Sequence, residues 1–441
     1  MTSPMDPASL KAYLKDTSTR PLPAFVQRDV EWRTRSRVLA ITGARRCGKT
    51  FIMYQIMRDL LDDGHDRHQL VYLNFEHPVL STIQHTEFKS ILTLHWSLYP
   101  DIMNEPLFLF MDEPQAINGW ESAVSELVDS FPVTVFITGS SSKLLSREIA
   151  TVLRGRSLSM HVFTLSLGEF LRFKGHELED IDVPGTAGTA TLLNLLDEYL
   201  QYGGYPDVVL ASTELDKMRH LQNYHELTLY RVLMGRYSVK QSHVLKMTLK
   251  HAVASSGKEF SVHKWFNTLK SQHISVGKDT LYELVEMLKD CGFIHAIPKH
   301  DPSLRNEELS IPKVYINDLG LYTLFYQGNP TVRLETSVAL HLLRRSVSRP
   351  GAKVRYWKGQ GDHEVDFIYM DGETSLAIQV SWSMALDSTL HRERRSLEQF
   401  LSQHPGFKGL VLTYNERGSL TAGDHEITVL PAWEWMLSWD R

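Results

Sequence analysis

The sequence predicts an α/β protein whose leading domain is a parallel sheet built around a phosphate-binding loop. Three stretches predict it. Val38 to Thr42, "VLAIT", is a short apolar, partly β-branched run that reads as a buried strand. It feeds Gly43 to Thr50, "GARRCGKT", which matches G-x-x-x-x-G-K-[ST], and then "FIMYQIMRDLL", which has the three-to-four apolar spacing of a helix. Leu107 to Met111, followed by Asp112 and Glu113, is a second apolar strand with acids at its end, and Val133 to Thr138 is a third, ending in "TGSSS". Strands that finish in polar residues and alternate with helices place a ligand at the carboxyl edge of an α/β sheet.

Each element has a chemical reason. Glycines in the loop let backbone N–H groups close around an anion, and the following helix points its positive end at the phosphates. Gly43, Ala44, Arg45, Arg46, Cys47, Gly48, Lys49, Thr50 and Phe51 are therefore the expected nucleotide-binding residues, with Lys49 on the β/γ-phosphates and the Thr50 hydroxyl on Mg²⁺. Asp112 is expected to hold Mg²⁺ through water, and Glu113 to polarise the attacking water as general base. Ser140 is the first choice for a residue that senses the γ-phosphate, with Thr138 next to it in rank. Arg147, Arg154 and Arg156 follow on a helix and its end; one is either an arginine finger or a packing residue, with Arg154 and Arg156 taken as catalytic candidates. The base-reading N-K-x-D of GTPases is absent, so ATP with Mg²⁺ is the expected cofactor pair.

Composition sets outer bounds. At 441 residues the chain is too long for one ordinary core. With 42% hydrophobic and 22% charged residues it reads as a soluble globular protein, with no apolar run long enough for a membrane span and no signal-peptide core at the start. Its two cysteines, Cys47 and Cys291, read as small filler residues, which suits a reducing cytoplasm. A net charge of −5 gives no global reason for nucleic-acid binding, which would need a local basic patch.

"TGARRCGKT", "MDEPQAINGWE", "ITGSSSKLLSREIATVLRGR" and "LSLGEFL" together resemble a family of prokaryotic AAA+-like ATPases. The resemblance implies a P-loop AAA+-like core, a helical lid, a winged helix and a C-terminal restriction-endonuclease-like α/β domain. The corresponding divisions are an N-terminal extension at 1–30, the core at 31–165, the lid at 166–240, the winged helix at 241–328 and the nuclease-like domain at 329–441. In the lid, "GGYP" is a helix-ending turn, Val183 to Leu192 is expected to be a loop, and Arg231 or Arg236 is a possible nucleotide contact. From His243 onward, three helices precede a β-wing, in winged helix-turn-helix order, with Lys278, Thr280, Tyr282 and Lys289 on or near the recognition helix. Asp279, Glu283, Glu286 and Asp290 share that helix and would repel a phosphate backbone.

The nuclease-like resemblance implies a metal site made of a helix Glu, a strand Asp and an E-x-K pair. Glu335 and Asp366 occupy the first two positions, and Gln379-Val380-Ser381 stands where E-x-K is expected, so Glu335, Asp366 and Gln379 form a vestigial metal set without its lysine. Glu364 is expected to face the side of the strand opposite Asp366, with Lys358 or His363 as substitute cations. The segment reads as a strand–turn–strand hairpin, and the basic residues between His391 and Arg395 either meet phosphate or form a solvated helix face.

The leading expectation is an ATPase whose nucleotide state controls engagement of nucleic acid, DNA first, with a homo-oligomer supplying an arginine finger in trans and no membrane partner. The alternatives are a nucleotide-switched protein-interaction module and an active ATP-dependent metal nuclease.

Overall fold

A computed structural model describes residues 6–139, 157–176, 186–228, 242–326, 329–361, 363–385 and 387–439. Two units divide the chain, Met1–Val162 and Phe163–Arg441.

In the first unit, five parallel strands form the sheet: β1 (Val38–Gly43), β2 (Leu70–Asn74), β3 (Leu107–Asp112), β4 (Val133–Gly139) and β5 (Ser157–Val162). Their order is β2-β3-β4-β1-β5, so β1 lies inside the sheet between β4 and β5. Both faces of the sheet are covered, which is why the strands are nearly continuous apolar runs. Val38, Ala40, Leu109, Met111, Val135 and Ile137 pack against α1 (Pro7–Thr19), α3 (Phe88–Leu98) and α4 (Trp120–Ser130). Leu39, Ile41, Phe110 and Phe136 pack on the other side with Ile52, Met53, Ile56 and Met57 of α2 (Lys49–Asp62). Helix α1 is started by Asp6, whose carboxylate accepts the N–H groups of Ala8 and Ser9, a cap that contributes about 1 kcal/mol. Cys47 is buried in the α2 cluster, as expected of a filler residue.

The second unit opens with α5 (Leu167–Phe173), α6 (Thr186–Tyr202), α7 (Pro206–Leu210) and α8 (Glu214–Leu227). Helix α6 begins inside the stretch expected to be a loop: Thr186 to Leu192 is helical. The apolar spacing of "LLNLLDEYL" recruits the weak helix formers before it. "GGYP" does end that helix. Gly203 has φ +76°, and a Cβ there would lie 1.9 Å from Asp318 Oδ1. Asp318 needs that space, because its carboxylate accepts the N–H groups of Gly204 (2.8 Å) and Gly320 (2.9 Å).

Next come α9 (Ser242–Ala254), β6 (Lys258–Glu259), α10 (Val262–Ser271), α11 (Lys278–Asp290), β7 (Ile294–Ile297), α12 (Leu304–Leu309), β8 (Lys313–Ile316) and α13 (Leu319–Thr323). The strands form an antiparallel sheet in the order β6-β8-β7. The short helix α12, between the two longer strands, was not anticipated from the sequence.

The chain ends with α14 (Pro330–Ser348), β9 (Lys353–Lys358), β10 (Glu364–Met370), β11 (Ser375–Val380), α15 (Asp387–Gln403), β12 (Lys408–Thr413), β13 (Gly418–Ala422), β14 (His425–Pro431) and α16 (Ala432–Trp439). Its sheet runs β13-β14-β12-β11-β10-β9. The expected hairpin is two of three consecutive antiparallel strands, with β11 then pairing parallel to β12 after the α15 crossover. Among the described residues, no helix is long and apolar enough to cross a membrane.

Candidate functional site

The loop Gly43–Thr50 joins β1 to α2 at the carboxyl edge of the first sheet. Two glycines are required there by geometry. Gly43 has φ +150°, and a Cβ would meet the Val162 carbonyl oxygen at 2.2 Å. Gly48 has φ +99° and forms the left-handed entry to α2, which leaves the first N–H groups of that helix directed into the loop. Lys49 is buried, and its ammonium donates to the carbonyl oxygens of Gly43 (3.1 Å) and Ala44 (2.9 Å). Arg28 reaches the same loop through the Cys47 carbonyl at 2.9 Å, and Arg45 pairs with Glu76 at 3.2 Å. Phe51 is exposed, with its ring edge-on to Tyr54.

Asp112 ends β3 beside this loop. Its Oδ2 accepts from the Thr50 hydroxyl (3.0 Å) and the Tyr72 hydroxyl (2.8 Å), and its Oδ1 from the Thr138 hydroxyl. Three neutral hydroxyls thus orient this carboxylate. Glu113 has a left-handed backbone, φ +55°, donates its N–H to Thr138 Oγ1 at 3.1 Å, and its carboxylate accepts from the Gln115 amide. Burial raises the Glu113 pKa and Lys49 opposes the rise. A left-handed Glu is an uncommon and strained conformation, of the kind that clusters at functional sites. Thr50 and Asp112 are side by side, and a hydroxyl next to a carboxylate is a donor set that suits Mg²⁺. Ser140, Arg147, Arg154, Arg156, Arg231 and Arg236 lie outside the described residues.

A second convergence lies in the other unit. Glu335 of α14, Glu364 and Asp366 of β10 and Gln379 of β11 are brought together. The cation among them is one that the sequence reading missed. Lys313 of β8, only 3% exposed at its side chain, has its Nζ 2.5 Å from Glu364, 3.2 Å from Asp366 and 3.6 Å from Glu335. Tyr315, two residues on along the same face of β8, donates to Glu335 at 2.8 Å. Asp366 also accepts the Val380 N–H at 2.9 Å, and its own N–H donates to Gln379 at 3.3 Å.

Two expectations are corrected here. Glu364 does not face away from Asp366: side chains two apart in a strand share a face, and both carboxylates meet Lys313. Lys358 does not substitute for the missing lysine; it pairs with Glu259 at 3.3 Å. Ser381 bonds to the Ser383 carbonyl at 3.0 Å. Burial alone would lower the Lys313 pKa, yet Asp366, Glu335 and Glu364 together raise it. Burial and then Asp366 raise Glu335 to about 7, against the pull of Lys313, and burial with Asp366 likewise raises Glu393 of α15 to about 7.

Comparison with known proteins fixes the first site's family. The model of an AAA domain matches residues 35–171, and a domain of unknown function matches 193–330. An uncharacterized protein of Methanocaldococcus jannaschii is 30% identical over 422 residues, covering 94% of this chain and 91% of its own length. The chain belongs to that protein's family. The AAA match takes in the phosphate loop of this chain and supports a P-loop ATPase core there. A second relative in the family's range, an uncharacterized protein of Haemophilus influenzae, is 27% identical over 82% of this chain and 86% of that one. Among solved structures, C. elegans PCH-2 is similar at a TM-score of 0.28 and 14% identity, over 50% of this chain and 68% of that one; so distant a likeness carries no argument.

Besides Lys313 and Tyr315 of the second unit, Tyr72 of the AAA domain escaped the sequence reading, and Gln115, within "MDEPQAINGWE", was given no role. Tyr72 sits on β2, a strand of no recognised motif, and its hydroxyl on Asp112 had no local signal. Lys313 did leave one: a lysine at an inward position of the apolar strand "KVYI" is a buried charge that needs a partner.

Proposed function

We propose that this chain binds and hydrolyses ATP in its AAA domain and uses the nucleotide state to govern engagement of nucleic acid, DNA first, by its second unit. The observation that carries the ATPase reading is the convergence of the Gly43–Thr50 loop with Asp112 and Glu113 at one sheet edge. Lys49 would exchange its two carbonyl partners for phosphate oxygens. Mg²⁺, when bound, would be held by the Thr50 hydroxyl and, through water, by Asp112, and would neutralise charge on the phosphates. Glu113, oriented by Thr138 and Gln115, would take the proton of the attacking water. An arginine from the 147–156 stretch, supplied by a neighbouring copy, would add positive charge in the transition state, with Ser140 as the γ-phosphate sensor.

The nucleic-acid reading draws on residues 242–316. Their order of helix, strand, helix, helix, strand, short helix, strand, with the sheet order β6-β8-β7, supports a winged helix with α12 inserted between the two longer strands. Lys264, Asn267 and Lys270 of α10, with Lys278 and Tyr282 of α11, are exposed. One observation favours the second reading, a nucleotide-switched protein module: α11 exposes Asp279, Glu283 and Glu286 as well, which suits a protein partner better than a phosphate backbone. The order α14-β9-β10-β11-α15-β12 supports a restriction-endonuclease-like fold, proposed here to be without cleavage activity.

ATP hydrolysis measured with and without single- and double-stranded DNA, at two salt concentrations, on the wild type and Glu113→Gln, tests both parts. Stimulation that fades with salt supports DNA engagement. Hydrolysis unaffected by DNA transfers weight to the protein module, and wild-type hydrolysis no higher than that of Glu113→Gln removes the ATPase reading.

A further inference from the structure

A restriction-endonuclease-like fold implies a divalent metal between its carboxylates, and the residues present do not fit one. Among the described residues, no three His, Cys, Asp or Glu side chains converge in a way that would hold a metal ion. The ammonium of Lys313 lies within 4 Å of Glu335 and Asp366, the two carboxylates of the implied metal set, and of Glu364 beside them.

We infer that Lys313 is the resident cation of this site, so that the carboxylates of α14 and β10 serve as a clasp for β8 and not as metal ligands. Three features of the geometry fit that role. The ammonium comes from a different sheet, β6-β8-β7, so the ion pairs join that small sheet to the large one, which a lysine two residues after Gln379 would not do. The attachment is made along a face of β8 and not at one point, because Tyr315 binds Glu335 from the same strand while Ser256, preceding β6, bonds Thr336 of α14 at 3.1 Å. A flanking contact runs alongside: Glu259 of β6 accepts from Tyr356 (3.0 Å) and pairs with Lys358, both on β9.

Close approach closes the remaining space. Gly257 sits over Glu335, and a Cβ there would be 3.2 Å from each carboxylate oxygen. Lys313, Glu335, Asp366 and Gln379 are all buried, so a phosphodiester has no route to Glu335 and Asp366 while β8 is seated; Glu364 stands at the rim, one-third exposed. The ammonium hydrogen-bonds Asp366 and pairs with Glu364 and, at longer range, with Glu335, whose hydrogen bond comes from Tyr315; together these partners make so many acids tolerable in one place.

The inference rests on the distances around Lys313 and not on ATP chemistry, so a failed DNA-stimulated ATPase assay leaves it standing. Its test uses the full chain and MnCl₂ as the probe, with thermal unfolding and calorimetric Mn²⁺ titration on the wild type, Lys313→Met, and the neutralised triple variant Lys313→Met/Glu364→Gln/Asp366→Asn. Expected are a wild type whose midpoint does not respond to Mn²⁺, a Lys313→Met midpoint several degrees lower that Mn²⁺ partly restores, and a triple variant near the wild-type midpoint with no Mn²⁺ response. If Lys313→Met is too unstable to purify, the triple variant decides: folding near the wild-type midpoint supports charge compensation, and failure to fold overturns it. The inference also falls if Lys313→Met unfolds like the wild type, or if the wild type binds Mn²⁺ in a manner abolished by Asp366→Ala. Mn²⁺-dependent DNA cleavage by the wild type that Lys313→Met removes would make Lys313 a catalytic residue and likewise overturn it.

Discussion

The loop of the AAA domain and the carboxylate cluster of the second unit are both places where a buried lysine stands near acids, and they are built on opposite plans. Lys49 leans on two backbone carbonyls, and Asp112 is held by three hydroxyls. Neutral partners orient these charges and leave each available to an opposite charge arriving from outside. Lys313, by contrast, is surrounded by three carboxylates of its own chain. A site meant to take up a charged ligand keeps its charges oriented but uncompensated, whereas one that joins two sheets compensates them internally. Sequence motifs do not separate these plans, because both contain a lysine and acids at the ends of apolar strands.

The sharpest way to break the comparison is to remove one functional group at each site. Glu113→Gln is expected to lower single-turnover ATP hydrolysis by about 10²- to 10⁴-fold while ATP binding, followed by equilibrium fluorescence of a labelled nucleotide, is retained. Lys313→Met is expected to do the reverse. Removing one partner of a buried ion-pair network costs about 3–5 kcal/mol. Urea unfolding of the second unit should show that loss, with nucleotide affinity unchanged. A Lys313→Met protein of wild-type stability would erase the distinction drawn between the two lysines.

Gly43→Ala sharpens the first half. It forces a side chain onto φ +150° and into the Val162 carbonyl, a strain of about 1–3 kcal/mol, and should weaken ATP binding measured by calorimetry more than it lowers the unfolding midpoint. The smallest effect is a pH dependence of the second unit. Burial raises Glu335 and Glu393 to about 7 from an ordinary 4.5, and Asp318 to about 6 from 3.8. The folded state therefore favours their protonated forms. Their contribution to stability is fully present below the unfolded values and is lost as pH rises through 6 to 7. Buried histidines of the same unit, His295 and His341 among them, have lowered pKa values and act in the opposite direction, so the comparison is with Glu393→Gln: between pH 5 and pH 8 the wild-type urea midpoint should fall relative to that of the variant, and an unchanged difference would show that this carboxyl group is ionised throughout.

What the sequence made legible follows the same division. The phosphate loop was readable because strand, glycines, Lys49 and Thr50 are contiguous, and each residue type has a local job. Asp112 and Glu113 were readable because an apolar run ending in acids is a strand edge. The second site was half readable: Glu335, Asp366 and Gln379 converge, but their cation comes from Lys313, separated from Asp366 by two helices and a strand that no local pattern links to it. Glu364 was misassigned by a parity error, since residues two apart in a strand share a face. The loop expected at Val183 to Leu192 is helical from Thr186 on, because local composition yields to the apolar helix that follows it. Ser140 and the arginine candidates fall outside the described residues, so they stand as proposals.

The position of β1 sets an order on the birth of the protein. Val38 pairs with Val135 on one side and with Ser157 on the other, so the strand that carries the phosphate loop finds its neighbours only after a long stretch of chain has been made. Such non-local pairing is slow to form and waits on the last strand. A ribosome must therefore release residues through Val162 before Gly43 acquires the carbonyl against which it packs. Until then the nascent chain has the nucleotide motif without the nucleotide site, and ATP in the surrounding solution can do nothing to help it fold.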